Sequence, residues 1–277
     1  MAGRRGLLGF AATGIGGLYL AAVAGMFFAQ GRLVFPSWAV PPSGPLRPGA
    51  ERLTVELPDA ARLEGVHIPA RHTPTSDTLL LVFPGNATNA QAMAEFIADI
   101  LPDHPVVSFH YRGYPPSTGA SAGRHLLADA PFIYDLAVER YRPRRLIAVG
   151  QSLGSGVAAG LSRERALAGL VLITPFDSLR EVARQAQPLL PVSWLFRHDM
   201  DSAAALRAAP VPTAIIAGAR DTLVRPERTD RLRAAASRLV LDETFAEAVH
   251  NDVHLHPRFV PALRESIRRI EAEDGRS

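Results

Sequence analysis

The chain predicts an α/β domain: a mostly parallel central sheet flanked by helices, with a short lid and an N-terminal transmembrane helix. Three observations carry this. Short apolar runs alternate with helical patterns from residue 78 onward, as in a parallel sheet covered on both faces. One of those runs, Leu146–Val149, breaks into Gly150-Gln-Ser152-Leu-Gly154 and a small-residue helical pattern. An uncharged apolar stretch, roughly Leu7 to Ala29, stands ahead of everything else.

That first stretch would be about 35 Å long as a helix, enough to cross a bilayer. Its glycines and alanines suit a membrane span, and Ala21-x-x-x-Gly25 permits close helix contact. Phe27, Phe28, Phe35 and Trp38 gather near its far end, where interfacial aromatics belong. Ala22-Val-Ala24 offers the small-x-small pattern of a cleaved signal, the alternative that would make the chain secreted. The apolar run continues past that site through Phe28, which favours an uncleaved single-pass anchor over residues 1–30. Arg4 and Arg5 would then stay cytoplasmic and the bulk of the chain would lie on the other side, although Arg32 pulls the opposite way.

Residues 31–50 are rich in proline, glycine and serine and read as an extended linker. The domain is expected over 51–277. Arg52–Leu57 and Arg62–Pro69 alternate like an antiparallel pair around Pro58-Asp59-Ala60. Thr78–Phe83 is a continuous apolar strand ending in Pro84-Gly85-Asn86-Ala87, and Asn89–Leu101 has helical periodicity. Pro105–Tyr111 is a strand, His125–Tyr141 a helix, and Leu167–Ile173 a strand closed by Thr174-Pro-Phe-Asp177. The rhythm breaks around 178–210, where Leu189-Leu-Pro-Val-Ser-Trp194-Leu-Phe196 suggests a short lid that either packs its apolar face on the domain or forms a groove wall for an acyl chain or a patch dipping into the bilayer. Val211–Ala217 resumes the sheet, Pro226–Ala236 is helical, Leu239–Leu241 is a short last strand and Val260–Glu273 a closing amphipathic helix.

Composition narrows the function. All 30 basic side chains are arginine, against 27 acids, for a net charge of +3. No dense basic block with interleaved aromatics marks a nucleic-acid partner. Zero cysteine excludes disulfides, thiolate chemistry and Cys-based zinc sites.

Gly150-Gln-Ser152-Leu-Gly154 in a strand–turn–helix context reads as a nucleophile elbow: so tight a turn strains the serine backbone, and the flanking glycines let neighbouring backbone pass. A serine hydroxyl needs an adjacent base, itself oriented by a third group. His250 lies in a loop before the last helix, and Asp221 follows the Val211–Ala217 strand. The order Ser152, Asp221, His250 is that of a hydrolase triad. Asp177 also follows a strand end and competes as the acid. Asp252 reads as a brace for the histidine loop, and His110 as a core histidine. The oxyanion donors are expected to be the backbone N–H groups of Leu153 and of Asn86. His250, His254 and His256 alternate along one loop without a His-Glu-x-x-His partner, so neither a metal nor a cofactor is expected.

From about residue 50 the chain resembles α/β-hydrolase-fold serine hydrolases, and more narrowly the small-lidded, membrane-anchored ones. The resemblance rests on Pro84-Gly-Asn-Ala, Tyr111-Arg-Gly-Tyr, Gly150-Gln-Ser-Leu-Gly, Thr174-Pro-Phe-Asp-Ser, Gly218-Ala-Arg-Asp and His250-Asn-Asp. That family usually has His-Gly-Asn-Ala where this chain has Pro84-Gly85-Asn86-Ala87. The resemblance implies hydrolysis of a carboxylic ester, thioester or amide in a small-molecule or lipid-like acyl substrate. A non-catalytic membrane-tethered binding module, and an acyltransferase or peptidase on the same triad, are the alternatives.

Overall fold

The computed structural model describes residues 2–72 and 77–274. Side chains of residues 2–13, Arg4 and Arg5 among them, and of Asp274 lie outside the described residues, as do positions 275–277.

Eight strands form one sheet: β1 (Glu51–Glu56), β2 (Arg62–Ile68), β3 (Thr78–Phe83), β4 (Val106–Phe109), β5 (Arg145–Gln151), β6 (Gly169–Ile173), β7 (Thr213–Gly218) and β8 (Leu239–Phe245). Their order is β1-β2-β4-β3-β5-β6-β7-β8. The β1/β2 and β2/β4 pairs are antiparallel, and every other pair is parallel. All positions of β3, β4, β6 and β7 are buried, which is why these strands read as unbroken apolar runs.

Successive residues of those strands serve opposite layers. Leu80, Val82, Val149 and Val171 pack under α2 (Ala90–Ile100) and the C-terminal helix, with Ile97, Leu263 and Ile267 above them. Leu81, Ala148 and Leu172 face Leu126 of α3 (Gly123–Tyr141) and Val157 of α4 (Leu153–Leu161). Each such fully buried valine, leucine or isoleucine stabilises the domain by about 1.5–3 kcal/mol relative to exposure. Asn89 starts α2 by accepting the Ala92 N–H at 2.9 Å.

The 178–210 insertion divides in two. α5 (Leu179–Ala186) and α6 (Val192–Leu195) form the lid proper. α7 (Ser202–Ala208) belongs to the core instead, because Ala203, Ala205 and Leu206 bury against the layer that also holds Leu232 of α8 (Pro226–Ala235). Ser178 and Asp201 pair as an isolated antiparallel bridge at the lid's base. There the Ser178 hydroxyl and the Arg180 N–H both donate to Asp199 Oδ1 at 3.0 Å.

Two further expectations need correction. The last strand runs on to Phe245, because the stretch carrying Asp242, Glu243 and Thr244 pairs with β7 through Gly218 while turning one face to solvent. Residues 31–50 are not a loose linker. α1 (Ala2–Val34) extends beyond the expected anchor, Phe35 is only 2% exposed, and the Pro41 and Pro45 carbonyls accept from the Asn89 and Gln91 side chains. Proline has no N–H to donate but keeps its carbonyl acceptor, so an extended Pro-rich segment can still be held through its carbonyls. α9 (Phe259–Asp274) closes the chain.

Candidate active site

At the carboxyl end of β5 the backbone turns into α4 through Ser152, whose φ is 49° and ψ −113°. That left-handed conformation is costly for a residue with a side chain. The glycines around it are dictated by backbone crowding. A Cβ on Gly150 would lie 2.3 Å from the Gly154 carbonyl oxygen, and one on Gly154 would lie 2.1 Å from that of Phe83. The Ser152 N–H is held by the Ile173 carbonyl of β6 at 2.8 Å.

Asp221 and His250 come from the loops after β7 and β8. Asp221 is buried, and its Oδ1 accepts the N–H groups of Leu223 and Val224 at 2.9 and 2.8 Å. Its Oδ2 lies 2.6 Å from His250 Nδ1. A carboxylate only accepts, so Nδ1 carries the proton and Nε2 presents its lone pair. Nε2 lies 2.8 Å from Ser152 Oγ. The histidine loop approaches closely because residue 218 has no side chain: a Cβ there would meet the Ala248 carbonyl at 2.5 Å. Asp252 Oδ1 accepts the Val249 N–H at 2.7 Å and so braces that loop.

Leu153 opens α4, and Asn86 lies in the turn after β3. Among the described residues neither backbone N–H is engaged in a hydrogen bond. The Tyr111-Arg-Gly-Tyr114 motif serves this turn: the Tyr111 hydroxyl donates to the Pro84 carbonyl at 2.7 Å, and the Tyr114 hydroxyl to Asn86 Oδ1. Burial pushes both phenols up, so they remain donors. The Asn86 side-chain amide in turn donates to the Val34 carbonyl, at the end of α1, at 2.7 Å. Sequence reasoning registers the two tyrosines only as a motif; their spacing from Pro84 and Asn86 gives no sign that they hold that turn.

The competing candidates lie elsewhere. Asp177 accepts the Ser178 N–H and is paired with the buried Arg228 at 3.3 Å. Burial lifts its carboxyl above the ordinary range, and Arg228 offsets part of that. Arg228 also reaches Glu181 of α5 at 3.1 Å, tying α8 to the base of the lid. His110 Nε2 meets the Ser43 hydroxyl at 3.3 Å. His254 and His256 turn to separate rings, Phe96 and Phe245, and so do not converge with His250. Among the described residues no group of three metal-ligating side chains occurs.

An uncharacterized protein of Mycobacterium tuberculosis is 33% identical over 253 residues, covering 88% of each chain. The lysophosphatidylserine lipase of Danio rerio is 37% identical over 98 residues, 34% of this chain and 25% of that protein. Among solved structures, an esterase of Pyrococcus furiosus superposes with a TM-score of 0.66 at 19% identity, covering 83% of this chain and 96% of that one. No protein-family model matches the chain.

Proposed function

Because the chain has the α/β-hydrolase fold, we propose that it is a serine hydrolase cleaving a carboxylic ester or thioester through an acyl-enzyme. The observation that carries this reading is the continuous relay from Asp221 Oδ2 through His250 to Ser152 Oγ, with contacts of 2.6 and 2.8 Å. The Danio rerio and Pyrococcus furiosus relatives, a lipase and an esterase by name, support the same class.

In this mechanism Ser152 Oγ attacks the acyl carbonyl carbon while His250 Nε2 takes the hydroxyl proton. Asp221 orients the ring and stabilises its cationic form. The tetrahedral oxyanion is met by the N–H groups of Leu153 and Asn86, which among the described residues have no acceptor to give up. Collapse breaks the acyl–oxygen or acyl–sulfur bond, and His250 returns its proton to the leaving alcohol or thiol. Water, deprotonated by the same imidazole, then releases the acid and frees Ser152.

α1 is long and apolar enough to span a bilayer, with a mean hydropathy of 1.5 over the candidate span. It anchors the enzyme, with residues 51–277 as the catalytic domain on the non-cytoplasmic side.

The test is labelling of the full chain by a fluorophosphonate, together with hydrolysis of p-nitrophenyl butyrate. Ser152→Ala is expected to abolish labelling and to lower turnover on the order of a millionfold. A Ser152→Ala protein that hydrolysed the ester at the wild-type rate would overturn the assignment.

A further inference from the structure

The relay leaves unused an apolar cleft of about 240 Å³ between α1 and the lid. Val23, Met26 and Leu33 of α1 form one wall, and Ala183, Leu190 and Val192 face them from the lid. The two walls are pinned together. The Tyr19 hydroxyl donates to the Leu189 carbonyl at 2.9 Å. The Gln30 side chain donates to the Leu195 carbonyl at 3.3 Å and accepts the Arg197 N–H at 2.9 Å. The Arg197 guanidinium sits 4.1 Å over the Phe27 ring. These ties hold the cleft open as a fixed feature and occupy the Gln30 amide, a polar group in its lining.

Each end of the cleft has a distinct character. Val34 lines it, and the Val34 carbonyl accepts from Asn86, so the inner end adjoins the turn that would hold the oxyanion. On the outer side Leu189 and Trp194 are 84% and 89% exposed, and Phe28 is exposed on α1. These large apolar side chains extend the surface of a helix suited to lipid. The lining of the cleft is thus mostly apolar, and its Val34 end adjoins the Asn86 turn.

We infer that this cleft is the acyl-chain subsite and that α1 is one of its walls, so the substrate is a long-chain acyl lipid. The chain enters sideways from the bilayer between helix and lid, and its carbonyl comes to rest beside Ser152. The inference rests on the hydrolase reading above and adds the substrate class to it. The helix is then part of the substrate site rather than a tether alone. Burial of each methylene along such a wall strengthens binding about fourfold, so preference rises steeply with chain length.

The test compares kcat/KM for p-nitrophenyl palmitate and butyrate with the full chain in detergent micelles. Val23→Phe and Ala183→Phe, which narrow the cleft from opposite walls, are expected to lower the palmitate-to-butyrate ratio at least tenfold. In parallel, palmitate bearing a terminal diazirine is photolysed with the full-length Ser152→Ala protein. Its label is expected on peptides spanning 19–34 and 183–196. An unchanged ratio in both variants, or label confined to other peptides, would overturn the inference. A wild-type chain that hydrolysed neither ester would instead count against the Ser152 assignment, and the label map would still decide the cleft.

Discussion

His250 Nε2 stands 2.8 Å from Ser152 Oγ across 98 positions of sequence, and the serine that meets it has a backbone φ of 49°. The contact and the strain belong together, since only the kinked crest after β5 lifts the hydroxyl clear of the sheet. Ser152→Gly should therefore remove turnover and yet raise stability by about 1 kcal/mol, because glycine adopts positive φ without strain. Urea unfolding of the two proteins checks this. A glycine variant less stable than wild type would show that the turn carries no relievable strain.

The Tyr114 hydroxyl holds the Asn86 side chain, and Asn86 lies in the turn after β3 that we propose meets the oxyanion. Tyr114→Phe should cost about tenfold in kcat, the loss of one hydrogen bond's worth of positioning. KM for a short ester should change little, because the phenol is directed at the turn and not at the acyl chain. Steady-state kinetics separates the two parameters, and a KM-only effect would contradict the positioning role.

Arg228 is buried between Asp177 and Glu181. Arg228→Met should destabilise the protein by about 3–5 kcal/mol, because a buried carboxylate is left unpaired. Adding Asp177→Asn should recover part of that loss. Thermal unfolding of the single and double variants measures the coupling, and strict additivity would mean the pair does not interact.

Burial, with a smaller contribution from Arg52, holds the His110 imidazole down to about 4. Its folded value lies below the unfolded one, so its contribution is present above about pH 6.5 and fades as pH falls toward 4. Between pH 7 and 4.5 this amounts to about 2–3 kcal/mol. His110→Gln should lose correspondingly less stability over that interval. Equal losses in the variant and the wild type would exclude His110 as the cause.

Legibility in the sequence followed the range of the interaction. β3, β5, β6 and β7 are readable because strands covered on both faces must be apolar through their centres. Ser152 is readable because its glycines are forced by backbone crowding within a few residues, and Asp221 and His250 because they follow strand ends in a fixed order. β8 is only half readable, since an edge strand alternates and its charged residues resemble a loop. A groove wall at Leu189–Phe196 is suggested by the sequence, but α1 as its opposite wall is not. Tyr19 and Leu189 meet 170 positions apart, and nothing in the local pattern of either segment encodes its partner. Arg228 is hidden for the same reason: a buried arginine looks like any other until its two carboxylates arrive from another element.

The bridge between Ser178 and Asp201 means that the lid departs and returns through a single doorway. Strands β6 and β7 pair with each other behind it, independent of what lies between. A cassette of different length could therefore depart and return at those two residues while β6 and β7 stay paired, which makes this insertion a place where the fold can vary without changing its sheet.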